Sequence, residues 1–173
     1  VPSPTLRAVG TVGDRNAPSP GPRRRGTART GSDDVKGTPV SWDVLVIPLP
    51  EDAASTDDLP DDYTPPPVGP LEEVLARLRR AVPDVDLADP TWGLLAGPSW
   101  SMELGIGSED PVRSVMLHVH GSGDDVVAVA LRIAGALGCR ALDCSSGAFL
   151  TGAEDTGGWH RFQAYRDRVL GQG

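Results

Sequence analysis

The residues richest in potential chemistry lie in "LHVHGSGDD", residues 117–125 of a 173-residue chain. His118 and His120 alternate along an apolar run. Such a pair on one strand face can offer a metal ion two nitrogens, and Cys139 or Cys144 would add a thiolate. The spacings that make a zinc reading strong are absent: there is no CxxC, no HExxH and no carboxylate at a fixed offset. No metal or other cofactor is expected. "GSGDD" then leads into a helix, whose free N–H groups attract anions. Asp124 and Asp125 already occupy that positive end and would repel a phosphate. No Lys or Thr stands in the Walker position. Ser122 with Asp125 reads instead as a variant capping box.

"LDCSSG" (142–147) offers Cys144, Ser145 and Ser146, with His118 or His160 as a base. Thiol activation needs a neighbouring cation or a helix N-terminus. Asp143 beside Cys144 works the other way, so no catalytic residue is expected. A third cluster is acidic. Glu51, Asp52, Asp57, Asp58, Asp61 and Asp62 precede Tyr63 and a proline-rich stretch. The EF-hand spacing and its closing Glu are missing. Carboxylates that steer a basic protein, with an aromatic as anchor, are the functional reading of this loop. A solvated loop is the structural one.

The elements that must position these groups follow from periodicity. "SWDVLVIPLP" (41–50) is apolar on both faces and reads as a buried central strand, ended by Pro48 and Pro50. "PLEEVLARLRRAVP" (70–83) has a helical stripe of Leu71, Val74, Leu75, Leu78 and Val82. Its acidic start and basic end suit the helix dipole. Residues 84–100 read mostly as loop, with a short strand at 92–96. "WSMELGIG" (100–107) and "VRSVMLHVH" (112–120) alternate, which predicts a hairpin about the turn "SEDP". Pairing 107 with 112 sets Leu104 against Val115, Met102 against Leu117 and Trp100 against Val119. His118 and His120 then share a polar face with Ser101 and Glu103, Ser101 opposite His118 and Glu103 diagonal to it. "DDVVAVALRIAGALG" (124–138) is a largely buried helix ended by Gly138. "RALDC" (140–144) is a short strand that Phe149 and Leu150 extend or pair with. "WHRFQAYRDRVL" (159–170) is a last helix, with Trp159, Phe162, Tyr165 or Arg166, and Val169 near one stripe. The order matches the split βαββαβ pattern of a ferredoxin-like α+β sandwich, here with a C-terminal helix.

Residues 1–40 stand apart. They are rich in Pro, Gly, Ser, Thr and Arg, lack aromatic residues and show no hydrophobic periodicity. They read as a disordered tail ahead of a single domain at 41–170. The first residue is Val1, and the composition suggests a GC-rich genome and a GTG start, so Val40 is a candidate true start. The segment carries seven basic and three acidic residues, leaving nine basic and 21 acidic in the remainder, net −12. An acidic body disfavours nucleic acid and favours a basic partner. No apolar run approaches the roughly 20 residues of a membrane span, and no apolar signal core opens the chain. A cytoplasmic protein with two unpaired cysteines is expected.

The stretches "SWDVLVIPLP", "DPTWGLL", "VMLHVHG", "RALDCSSGAFL" and "GWHRFQAYRDRV" resemble a group of small bacterial proteins that open with a similar "SWDV" strand. The resemblance spans about residues 41–170. It implies a small accessory protein and no particular activity, ligand or catalytic residue. In size and acidity the chain is similar to toxin-neutralising immunity proteins. Two functions stay open: an immunity-type module that occludes a basic toxin with its acidic loop and Tyr63, and a small enzyme or ligand-binding regulatory domain using Glu103, His118 and His120. An open sheet edge or a polar sheet face would be the place for a dimer contact.

Overall fold

Strand β1 (Trp42–Ile47) alternates buried and half-buried residues, so one of its two apolar faces turns inward. Helix α1 (Leu71–Ala81) follows the long acidic loop. Then come β2 (Asp86–Asp89), β3 (Trp92–Ala96), β4 (Trp100–Gly105) and β5 (Val115–Gly121). Helix α2 (Asp125–Leu137), β6 (Arg140–Asp143), β7 (Ala148–Leu150) and helix α3 (Gly157–Leu170) complete the order. This computed structural model describes residues 40–171, so the disorder expected over 1–40 falls, apart from Val40, outside the described residues.

The described residues are α+β, with three α-helices and one seven-stranded sheet ordered β2-β3-β4-β5-β1-β6-β7. Every neighbouring pair is antiparallel. Trp42, Val44 and Val46, Met102 and Leu104, and Val115, Leu117 and Val119 point to one face. There they form a single core with Val74, Leu75 and Leu78 of α1, Val126, Val127, Ala130 and Ile133 of α2, and Trp159 and Phe162 of α3. The helices' buried residues thus all join this core face. β1 is central, as its sequence suggests, but it is buried on one face only.

Four local expectations are revised. The β4–β5 register is offset by two: Leu104 faces Leu117, Met102 faces Val119 and Trp100 faces Gly121. A two-residue offset keeps each side chain on its face. The cause is a longer connection. Ile106 and Gly107 N–H donate to Thr91 O, and Val112 pairs with Gly69, so residues 106–114 cannot close a tight turn. The stretch before β4 holds two strands, not one. β2 was missed because only Leu87 of its four residues is buried. The capping box at Ser122 does not form: Asp124 is the N-cap and makes no side-chain cap bond. Finally, α3 buries Gly158, Trp159 and Phe162, while Tyr165, Val169 and Leu170 are exposed.

The loop after β5 is anchored from several sides. Gly121 (φ +97°) and Gly123 (φ +103°) lie in the left-handed region. A side chain on Gly121 would collide with the Ser99 carbonyl and sit 2.8 Å from Trp100 Cα. Trp159 Nε1 donates to Gly123 O, Trp100 Nε1 to Asp125 and Arg166 to Gly121 O, while His160 Nε2 lies 2.8 Å from Asp124 Oδ1. Of the backbone N–H groups that a phosphate loop would keep available, Ser122 N–H already donates to Ser99 O.

Candidate functional site

The sheet face opposite the core bears the candidate residues. In β1 it holds Asp43, Leu45 and Ile47, and in β5 Met116, His118 and His120. Ser101, Glu103 and Gly105 of β4 join them, with Trp92, Leu94 and Ala96 of β3 beyond. The three polar residues read from the sequence do share a face. Glu103 is directly opposite His118, and Ser101 opposite His120, a correction that follows from the register.

The registers align these side chains in rows across the strands. One row is polar: Glu103, His118 and Asp43 on adjacent strands. His118 Nδ1 lies 2.8 Å from Asp43 Oδ1, which also accepts from Ser41 Oγ at 2.7 Å. That bond orients the imidazole and leaves Nε2 for other contacts. His120 Nε2 is 3.9 Å from Glu103 Oε1, an ion-pair distance rather than a hydrogen bond. The adjacent row is apolar: Trp92, Gly105, Met116, Leu45, Leu142 and Phe149, one from each of six strands. Trp92 lies over Gly105, where a Cβ would sit 3.3 Å from its ring, and stacks on His118 with centroids 5.8 Å apart. Trp92 and Leu94 are 40% and 49% exposed. A shallow depression of about 390 Å³ opens among Leu45, Ile106, Met116, Ser114, Glu109 and Arg113.

The acidic loop meets the far end of the apolar row. Arg140 lies 3.9 Å from the Phe149 ring centroid and donates to the carbonyls of Pro50 and Ala53. It thereby ties the start of the loop to the sheet face. Asp58 closes a capping box with Ser55 around the short helical turn Thr56–Asp58, so this carboxylate has a local structural task. Glu51, Asp52, Asp57, Asp61 and Asp62 are exposed, and Tyr63 is half-buried. Two sites read separately from the sequence thus border one surface. Asp43, Trp92, Leu45, Met116 and Leu142 were missed. The available signal was Asp43 itself, a carboxylate inside an otherwise apolar strand.

Nucleophilic chemistry finds no support at Cys144. Burial pushes its thiol up, and the nearby Asp43 and Asp143 carboxylates push it further. Burial pushes Cys139 up to about 11. Asp143 has a different role. Burial would raise it, but hydrogen bonds from the Ser145 and Ser146 hydroxyls, Ser145 N–H and Trp42 Nε1 outweigh that and hold it below the usual carboxylate range. Among the described residues, no group of three or more His, Cys, Asp or Glu side chains is placed to hold a metal ion. Among them, too, no helix is long and apolar enough to cross a membrane. No protein-family model, curated protein or solved structure matches this chain.

Proposed function

We propose that the protein is a binding module that takes a basic protein partner on the uncovered face of its sheet. The observation that carries this reading is the apolar row. An antiparallel sheet can turn one face to water, but that face is then normally polar. Here Trp92, Met116, Leu45 and Leu142 run side by side across it, and the helices' buried residues belong to the opposite face. Contiguous apolar surface rimmed by polar groups marks interaction sites. The rim is acidic: Asp43 and Glu103 lie on one side and the loop from Glu51 to Asp62 begins at one end. Arg140, on the same face, is already held by backbone carbonyls.

The concrete form is an immunity protein that neutralises a basic toxin. The test is calorimetric titration of the full chain with basic products of the genes flanking its own. A complex weakened at least tenfold by Trp92→Ala, and further by added salt, supports the reading. A complex indifferent to Trp92→Ala and to Leu45→Gln refutes it. A second reading, a small ligand-binding domain or enzyme at His118, rests on the Asp43-oriented imidazole and its Trp92 stack. It requires a ligand-induced rise in Tm that His118→Ala abolishes.

On the fold, we infer a ferredoxin-like split βαββαβ unit made of β1, α1, β4, β5, α2 and β6. The order β4-β5-β1-β6 within the sheet supports it, with α1 before β4 and α2 between β5 and β6. The β2–β3 hairpin and β7 are then additions at the two edges.

A further inference from the structure

The geometry points to the form of the partner: a cationic amphipathic helix laid across the strands, seated on the row Trp92–Gly105–Met116–Leu45–Leu142. This deepens the reading above and rests on it. The row crosses five strands. At about 4.8 Å per strand its four intervals span about 19 Å. A helix rising 1.5 Å per residue covers that in about 13 residues, with apolar positions at i, i+3, i+4 and i+7 meeting the row. Same-face neighbours along a strand stand about 7 Å away, within the roughly 10 Å width of a helix. One flank of the helix therefore lies over Glu103, His118 and Asp43. The other lies over Ser114 and Ile47, with the cationic Arg140 opposite Ile47 on β6, and its nearby carboxylate, Glu109, is already at ion-pair distance from Arg113. The occupant's Lys or Arg residues belong on one flank only.

Charge decides against a second copy of the chain. Face-to-face docking would bring Asp43 and Glu103 towards their own counterparts on bodies that each carry net −12 over residues 41–173. A cationic helix removes that repulsion. The depression beside Met116 and Leu45 offers a seat for one large apolar side chain.

The probe is a synthetic 14-residue helical peptide with leucines on one stripe and lysines along one flank. Its comparators are a shuffled peptide of equal composition and one with the lysines replaced by glutamates. Binding to the full chain is read by fluorescence anisotropy, with the Trp92 indole signal followed by NMR. The expected result is affinity at least tenfold above both comparators, a shift of the Trp92 indole, and a tenfold loss in both Leu45→Gln and Met116→Gln. Equal affinity for the shuffled peptide overturns the proposal, as does indifference to both substitutions. Sedimentation that shows a dimer dissolved by Leu45→Gln also overturns it. If a basic protein partner binds and is lost on Trp92→Ala while the patterned peptide behaves like the shuffled one, the helix fails and the sheet face stands. If neither responds to changes on this face, both readings fail.

Discussion

Replacing Asp143 by alanine tests the account of the core most directly. Asp143 is 1% exposed and is the buried charged residue among the described residues. Its Oδ1 accepts from Trp42 Nε1 at 3.1 Å, Ser145 N at 2.9 Å and Ser145 Oγ at 2.6 Å, and its Oδ2 from Ser146 Oγ at 2.8 Å. The two serines are exposed and can turn to water. The Trp42 indole cannot, because Trp42 is fully buried against Trp159, with ring centroids 5.4 Å apart. A stranded buried N–H costs about 1–3 kcal/mol, and losing the Ser145 N–H bond to a charged acceptor adds about 1 kcal/mol. Asp143→Ala should therefore destabilise the protein by about 2–4 kcal/mol in equilibrium urea denaturation at pH 7. Asp143→Asn keeps an oxygen for the three Oδ1 donors and should cost about 1 kcal/mol. The pH dependence supplies a second check. Asp143 is depressed in the folded state, so its contribution is full above the ordinary unfolded value near 3.9 and is lost as pH falls through the lower folded value. The gap between wild type and Asp143→Asn should close below about pH 4. An alanine variant within 0.5 kcal/mol of wild type, or one matching the asparagine variant, would refute the reasoning.

Two further outcomes are expected. Gly121→Ala should cost at least about 2 kcal/mol, since it combines a left-handed φ with a clash against Ser99 and Trp100, whereas Gly138→Ala, left-handed but with open space around it, should cost about 1 kcal/mol by thermal denaturation. Cys144 should alkylate more slowly than a free thiol at pH 8, and Asp43→Asn should speed Cys144 without changing Cys139; an unaltered Cys144 rate would contradict the placement of Asp43 beside it.

Much of the element list is legible in the sequence because local periodicity writes it there. Alternation over 100–106 and 115–119 assigns inner and outer faces, and Gly138 marks the end of α2. Register is less legible, because the β4–β5 connection is held by Thr91 and Gly69, which are distant in sequence. β2 is nearly invisible because "DLAD" offers one apolar residue to the core. The polar trio Glu103, His118 and His120 could be placed on one face from parity alone. The Asp43–His118 bond joins residues 75 apart, and the apolar row takes one residue from each of six strands. No window along the chain contains either, so both appear only once the sheet is assembled.

The central position of β1 has a consequence for the order in which the molecule can be made. β1 is the first described strand, yet its partners are β5 and β6, and Trp42 shares a hydrogen bond with a residue 101 positions later. As the chain emerges from the ribosome, "WDVLVI" must wait, with both apolar sides uncovered, until residues 115–121 and 140–143 have followed. The β2–β3–β4 meander can form meanwhile as a local unit. The sheet closes only when its oldest strand slides between two of its younger ones, a step of high contact order that should set the folding rate and make this strand the segment most in need of a chaperone during synthesis.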